Sequence, residues 1–273
     1  GSIEIKTGNK EEGLSLLIKA TESDPQLAPA WGNLANGYIQ LGKPQEAEQP
    51  LRKTIELNPN LCDSHFLLGS ILLGQKKLQE AELSLRKTIE LKPDFFQAHL
   101  YLGAVLKDLG QLQEAESSIR KSIELKPNLF NSHFLLGSIL IEQKKLQEAE
   151  LSLRKTIELK PDFFQGHSVL GGLLGELGKA QEAELSTRKA IELNPDFAGA
   201  HYNLANTLKN LGKLQEAELS YRKAIELNAD HYDAFFNLSW LQLLRGEYKS
   251  GLKNYECRFK TKKPTLTHAK TKL

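Results

Sequence analysis

Five histidines recur at a fixed interval, and histidine is the side chain that most readily binds a metal ion or carries a proton near neutral pH. They are spaced 34 residues apart, at His65, His99, His133, His167 and His201. Packed helices lie about 8–10 Å apart, whereas each ligand of one zinc ion must come within about 2.1 Å of it. Equivalent positions in successive units are therefore poorly placed to share a metal. Trp31 occupies the same position one interval earlier, so we predict that these residues pack and that no metal is bound.

No other pattern of residues points to catalysis. The sequence contains no glycine-rich phosphate loop, no nucleophile motif and no pair of catalytic carboxylates. The two cysteines, Cys62 and Cys257, are far apart. Their spacing fits neither a disulfide framework nor a zinc site and favours a reducing compartment. We therefore expect a cytoplasmic protein that is not an enzyme and has no cofactor.

The composition restricts the class of partner. There are 36 basic and 34 acidic residues, with a formal net charge of +2. This balance gives no electrostatic reason to expect nucleic acid or an anionic membrane as a partner. No apolar run is long enough to cross a bilayer, and the first residues lack the features of a signal peptide. A protein or peptide ligand is the class that remains.

A 34-residue period organises the chain. The string QEAELSLRKTIELKPDF at 79–95 recurs at 147–163, and near copies begin at 113, 181 and 215. Each period predicts two helices. The first runs from Ala28 to Gln40 and over the equivalent residues, and the second ends at an Asn-Pro or Lys-Pro pair, because proline cannot continue a helix. The charges of the second helix predict a solvated face with i,i+4 pairs, from Glu82 to Arg86 and from Arg86 to Glu90.

The turn between the two helices has a glycine signature. Glycine stands where the backbone needs a positive φ, at positions 42, 110, 178, 212 and 246, as expected of a helix C-terminus. Lys76 and Lys144 replace it in two periods. Because a left-handed conformation costs a non-glycine residue roughly 1 kcal/mol, we expect those two turns to be less regular.

The 34-residue helix–turn–helix unit, with leucine, glycine, alanine and proline at these offsets, resembles the tetratricopeptide repeat (TPR) family over about residues 3–261. The resemblance implies an all-α fold, a right-handed α-solenoid superhelix whose first helices line a concave groove. The predicted division is a partial repeat at 3–27, repeats at 28–61, 62–95, 96–129, 130–163, 164–197 and 198–231, a degenerate repeat at 232–261, and a basic tail or linker at 262–273.

The first helices are apolar on two sides. In the period that starts at Cys62, Leu68, Ile71 and Leu72 form the core stripe of a helical wheel, with His65 beside them. The opposite side faces the groove in the TPR family, and here it carries an apolar strip: Phe66, Leu67, Leu100, Tyr101, Phe134, Leu135, Val169 and Tyr202. Two interpretations remain open, a groove lining without a ligand and a strip that binds one.

Asparagines occupy the same side before and after this strip, at Asn33, Asn36, Asn203, Asn206 and Asn237. A side-chain amide offers two donors and an acceptor, so it can hold a peptide backbone without reading its sequence. The NLAN strings resemble the TPR region of O-GlcNAc transferase, in which an asparagine ladder holds extended substrates. The string GLKNYECRFK resembles the last unit of bacterial TPR arrays that precede glycosyltransferase domains.

Three hypotheses about function follow. The first is a protein–protein interaction scaffold that binds an extended or helical segment in the groove. The second is the substrate-recognition region of a larger protein glycosyltransferase, whose catalytic domain would lie elsewhere. The third is a module for self-association, which makes a homo-oligomer through the end repeats or the apolar groove.

Overall fold

The computed structural model describes residues 10–259, which form fifteen α-helices and a final 3-10 segment at Glu256–Phe259, without strands. The first eight helices in chain order are α1 (Lys10–Ser23), α2 (Ala28–Gln40), α3 (Glu48–Leu57), α4 (Cys62–Gly74), α5 (Leu78–Leu91), α6 (Phe96–Asp108), α7 (Leu112–Leu125) and α8 (Phe130–Glu142). It continues with α9 (Leu146–Leu159), α10 (Phe164–Glu176), α11 (Ala180–Leu193), α12 (Ala198–Asn210), α13 (Leu214–Leu227), α14 (Tyr232–Leu244) and α15 (Tyr248–Tyr255). Residues 3–9 of the predicted partial repeat and the predicted basic tail at 262–273 lie outside the residues that the structure describes.

The chain divides into two compact units, Gly1–Gln143 and Lys144–Leu273, which we call unit 1 and unit 2. In unit 1, α4 packs against α5 and α6 against α7, and α4 also contacts α6. In unit 2, α10 packs against α11 and α12 against α13, and α10 contacts α12. Each unit is therefore a stack of helix pairs, as predicted for an α-solenoid.

Small residues let the two helices of a pair approach closely. Ala81 and Ala115 are completely buried. A Cβ atom on Gly69 would lie 2.7 Å from Cγ of Leu85, and a Cβ atom on Gly103 would lie 2.4 Å from Cδ1 of Ile119. Neither distance is compatible with a real side chain, so the close contact requires glycine at this position.

The predicted core stripe is confirmed. Leu68, Ile71 and Leu72 are buried, and His65 is buried beside them. In unit 2 the corresponding core includes Leu204, Leu208, Leu238 and the large side chain of Tyr221. Burial of these faces between successive pairs supplies the stability of a stack whose pairs could not bury them alone.

The turns between paired helices share one backbone conformation. The five predicted glycines have φ between 71° and 78°, and Lys76 and Lys144 have φ of 60° and 64°. The turn at Lys76 keeps the hydrogen bonds of its neighbours, since Lys77 N donates to Leu72 O over 2.9 Å as Gln111 N donates to Leu106 O over 2.8 Å. At Lys76 the expectation of a less regular turn is therefore wrong, because the surrounding helices hold the lysine in the left-handed region. Lys144 has the same backbone conformation, with a φ of 64°.

Ion pairs on the second helices connect successive repeats, which the sequence did not predict. Arg86 pairs with Glu82 at 2.9 Å as predicted. The predicted pair with Glu90 does not form, because Glu90 binds Lys87 at 2.6 Å. Arg86 reaches Glu114 of the following repeat at 2.7 Å instead.

Candidate functional site

The side of the first helices opposite the core stripe is the candidate site, and we call it the groove face. In unit 1 it carries six of the predicted apolar residues, which are all half-buried: Phe66, Leu67, Leu100, Tyr101, Phe134 and Leu135. The ring of Phe66 lies 4.8 Å from that of Phe95 and meets Tyr101 edge-on at 5.3 Å, both between centroids. These contacts link α4 to α6, so part of the strip stabilises the stack of unit 1.

The amides at the start of unit 1 are available to a ligand. Asn33 and Asn36 on α2 are exposed. Neither side chain makes a hydrogen bond to another described residue. Their donors and acceptors therefore face solvent, as a contact to a peptide backbone would require.

In unit 2 the groove face contains a cavity of about 350 Å³ between α10 and α12. The sequence-predicted residues Tyr202, Asn203 and Asn206 line it together. The other lining residues are Gly172, Gly175, Glu176, Thr207, Lys209 and Asn210. Val169 is half-buried on α10 and is not among the lining residues. Amide, carboxylate and ammonium groups thus surround a space large enough for one side chain of a ligand.

Two glycines create this cavity. The equivalents of Gly172 in unit 1 are Asn36, Ser70, Ala104 and Ser138, and those of Gly175 are Ile39, Leu73, Lys107 and Ile141. A Cβ atom on Gly175 would have Thr207 Oγ1 as its nearest neighbour, at 3.7 Å. At Gly175 there is therefore room for a larger side chain that the chain does not supply, whereas a Cβ atom on Gly172 would lie only 3.2 Å from Asn203 Nδ2. Sequence reasoning missed both positions, although the comparison with the other repeats contained the signal.

The asparagines of unit 2 are partly used within the protein. Asn203 Nδ2 donates to Ser168 O at 3.0 Å. Asn237 Nδ2 donates to Asn206 Oδ1 at 3.0 Å, and the same oxygen accepts the hydroxyl of Tyr221 at 2.6 Å. These bonds fix the orientation of the amides and leave the Oδ1 atoms of Asn203 and Asn237 as acceptors at the groove face.

Two tyrosines complete the network. Burial raises the pKa of the Tyr221 hydroxyl, with a further contribution from nearby Tyr202. Burial also raises the pKa of Tyr202, against the opposing effect of the amides of Asn206 and Asn237. Both phenols are therefore neutral at physiological pH, and Tyr221 serves as a fixed donor to Asn206.

The histidine ladder has a packing role, as predicted. His65 Nε2 lies 2.9 Å from the carbonyl oxygen of Pro59. The same contact to the proline that ends the preceding helix is made by His99, His133, His167 and His201, at 2.8–2.9 Å. Trp31 Nε1 donates to Pro25 O in the same way, at 3.0 Å. In residues 10–259 no group of three or more histidine, cysteine or acidic side chains is arranged to hold a metal ion.

The outer surface of the second helices carries leucines that sequence reasoning assigned to a solvated, charged face. We call them the outer leucines: Leu83, Leu151, Leu185 and Leu219, which are 68–72% exposed. Leu185 and Leu219 border open cavities of about 270 and 480 Å³ in unit 2.

None of the helices in the described residues is both long and apolar enough to span a bilayer.

Helix pairs stacked in this way define the class of α-helical repeat proteins. Family models for the tetratricopeptide repeat match residues 28–61, 66–130, 130–163, 165–197 and 198–231, which together cover more than two thirds of the chain. The chain therefore belongs to the tetratricopeptide repeat family. No curated protein sequence matches it.

Solved structures support the same fold. YrrB, described as a TPR protein with an unusual peptide-binding site, has a TM-score of 0.58 and 22% identity, over 68% of this chain and 96% of its own. MamA from Desulfovibrio magneticus RS-1 has the same TM-score and identity, over 62% of this chain and 96% of its own. The Cut9–Hcn1 hetero-tetramer of the APC/C reaches 0.68 at 16% identity, over 87% of this chain and 47% of that one.

Proposed function

We propose that this protein is a non-catalytic protein–protein interaction scaffold that binds an extended or helical protein segment on its groove face. The observation that carries the proposal is the cavity of unit 2. Three residues chosen from the sequence for peptide binding, Tyr202, Asn203 and Asn206, line one space of about 350 Å³. A cavity with a few fixed polar groups is the usual form of a ligand site.

Unit 1 supports the same function with different chemistry. Its groove face presents half-buried aromatic and aliphatic side chains on α4, α6 and α8 and the exposed amides of α2. Aromatic side chains supply much of the binding energy in protein interfaces, because they bury a large area with little loss of conformational freedom. The peptide-binding site described for YrrB is a precedent from a protein of the same fold.

The partner class follows from the charge balance. Because the 36 basic and 34 acidic residues nearly balance, the partner we propose is a protein or peptide and not nucleic acid or a membrane. Cys62 and Cys257 form no disulfide, which supports a cytoplasmic location as part of the proposal. We also propose that the repeats have the boundaries predicted from the sequence, with a partial repeat at 3–27.

A finer version of the proposal is the substrate-recognition region of a larger protein glycosyltransferase. The exposed amides of Asn33 and Asn36 favour it, since a ladder that holds extended substrates needs unused amides. The donors of Asn203 and Asn237, however, are bonded within unit 2. We therefore place this version second.

The test is a binding experiment with a cavity-filling variant. A peptide selected from a random displayed library is measured against the wild type and Gly175→Leu, which introduces the residue found at the equivalent positions 73 and 243. We expect affinity to fall on the order of tenfold or more, because the leucine occupies the cavity.

The matched control is Gly74→Leu, a glycine-to-leucine change at an exposed helix end with nothing within 4 Å of the added Cβ atom. It should leave affinity unchanged. For a peptide that binds unit 1, Leu67→Asn is the corresponding variant, since asparagine occupies that position in the repeats of Asn33 and Asn203. Affinity that survives both Gly175→Leu and Leu67→Asn would contradict binding on the groove face.

A further inference from the structure

Unit 2 ends in a cluster of exposed apolar side chains on its last two helices. Trp240 and Leu244 on α14 are 55% and 67% exposed, and Tyr248 and Leu252 on α15 are 67% and 57% exposed. We call this cluster the end face. Trp240 and Leu244 stand at the repeat positions of Asn206 and Asn210, so the end face adjoins the groove face, and it is separate from the outer leucines.

The end face occupies positions at which the earlier repeats contact the repeat that follows. Asn206 precedes Trp240 by one period and accepts a hydrogen bond from Asn237 of the next repeat at 3.0 Å. Glu218 precedes Leu252 by one period and pairs with Arg245 of the next repeat. Both contacts belong to the interface between stacked repeats. The end face is therefore a continuation of that interface, with no repeat packed on it among the described residues.

A leucine has replaced a charged group of this interface. At the position of Leu252 the six repeats between 28 and 231 have glutamates. Glu150 and Glu184 bind the lysines of their following repeats, Lys179 at 2.8 Å and Lys213 at 2.9 Å. A leucine there offers no partner to a lysine. Whatever covers the end face must therefore bring apolar side chains to these positions.

Residues 260–273 are a poor match for that requirement. Their sequence contains five lysines, at positions 260, 262, 263, 270 and 272, and its apolar residues are Pro264, Leu266, Ala269 and Leu273. A second copy of the chain, in contrast, brings the same four large apolar side chains.

The exposed apolar area is more than half of what a standard dimer interface requires. A large apolar or aromatic side chain has an area on the order of 150–250 Å², so the exposed fractions give about 500 Å² for the four residues. A standard interface buries about 800 Å² on each partner. The four side chains supply more than half of this, and the adjoining surface of the two helices can supply the remainder.

We propose that the end face is the interface of a symmetric homodimer, in which α14 and α15 of two copies pack against each other. The same patch is used by both copies, as in most twofold assemblies. This arrangement goes beyond the proposed groove function, because it joins two copies of the chain.

The test is sedimentation equilibrium of the full chain over a range of concentrations, for the wild type, Trp240→Asn and Leu252→Glu. These substitutions introduce the residues that the preceding repeat has at the same positions, Asn206 and Glu218, so the fold should tolerate them. Circular dichroism checks that it does. We expect a wild-type dimer and, for each variant, a dimer dissociation constant raised on the order of 100-fold.

Leu219→Glu is the matched control, because Leu219 is a 68% exposed outer leucine on α13. It should dimerise like the wild type. A wild-type monomer at every concentration would overturn the proposal, as would a dimer that both end-face variants retain. A monomer whose Trp240 fluorescence changes when residues 260–273 are removed would show that this segment covers the end face, and would also overturn it.

Discussion

At the scale of single residues, one hydrogen bond repeats through the molecule. An imidazole or indole nitrogen of each first helix lies against the carbonyl oxygen of the proline that ends the preceding helix, in six successive repeats from Trp31 to His201. A carbonyl oxygen accepts, so each histidine must carry a proton on Nε2. This explains why histidine and tryptophan are interchangeable at the position.

Replacement of His133 by phenylalanine keeps the ring and removes the donor to Pro127 O, which lies 2.8 Å from Nε2. We expect the free energy of unfolding to fall by about 0.5–1.5 kcal/mol, the net value of such a bond. Urea denaturation measures it. His133→Trp is the control, because Trp31 makes the same bond, and it should lose less than His133→Phe. Equal losses for the two variants would show that packing alone matters.

A buried carboxylate makes stability depend on pH. Burial alone would raise the pKa of Glu48, but hydrogen bonds from Lys77 and Arg52 outweigh it and lower the pKa from 4.5 to about 2. A lowered pKa means that the ionised form stabilises the fold. This contribution is complete above about pH 4.5, the ordinary value, and is lost as the pH falls through about 2.

Glu48→Gln should therefore destabilise the protein at neutral pH, by about 1–2 kcal/mol for the lost charged hydrogen bonds. The difference from the wild type should shrink as the solution is acidified below the ordinary pKa. Thermal unfolding across this range measures it. Glu82→Gln is the control. Glu82 is the equivalent of Glu48 in the next repeat and also binds an arginine, Arg86. The position of its second partner, however, is occupied by Gln111 and not by a lysine equivalent to Lys77. A larger loss for Glu82→Gln than for Glu48→Gln would contradict the account.

At the scale of elements, the period decides where helices begin and end. The sequence predicts the first helix of the repeat at 28–61 from Ala28 to Gln40, and α2 has those bounds. The bounds are predictable because the glycine turn ends each first helix and the proline ends each second helix. The conformation at Lys76 and Lys144 was not predictable in this way. There the packing of complete helices overrides a local preference of roughly 1 kcal/mol.

Lys144→Gly should stabilise the protein by about 0.5–1 kcal/mol. Glycine removes the strain of a positive φ from the folded state. Part of this gain is offset because glycine also raises the conformational entropy of the unfolded chain. Lys76→Gly should stabilise it less, because Lys76 also pairs with Asp108 at 2.8 Å. Chemical denaturation of both variants measures the difference. Destabilisation by Lys144→Gly would mean that the lysine is not strained at this turn.

At the scale of the whole molecule, the fold was predictable and the candidate site only in part. The 34-residue period fixes the helix pairs and the core residues, since each anchor recurs in phase. The cavity of unit 2 was not predicted, because it depends on side chains that are missing at Gly172 and Gly175. The internal bonds of Asn203 and Asn237 depend on where the neighbouring repeat lies, and no pattern within a single repeat contains that information.

The central claim is that a protein segment binds on the groove face, and a photo-crosslinking experiment tests it most directly. A library-selected peptide carrying a benzophenone side chain is irradiated with the full chain, and the modified residues are identified by mass spectrometry. The account predicts crosslinks on first helices, around Tyr202 and Asn206 in unit 2 or around Phe66 and Tyr101 in unit 1. Crosslinks confined to the second helices, near the outer leucines Leu185 and Leu219, would contradict it.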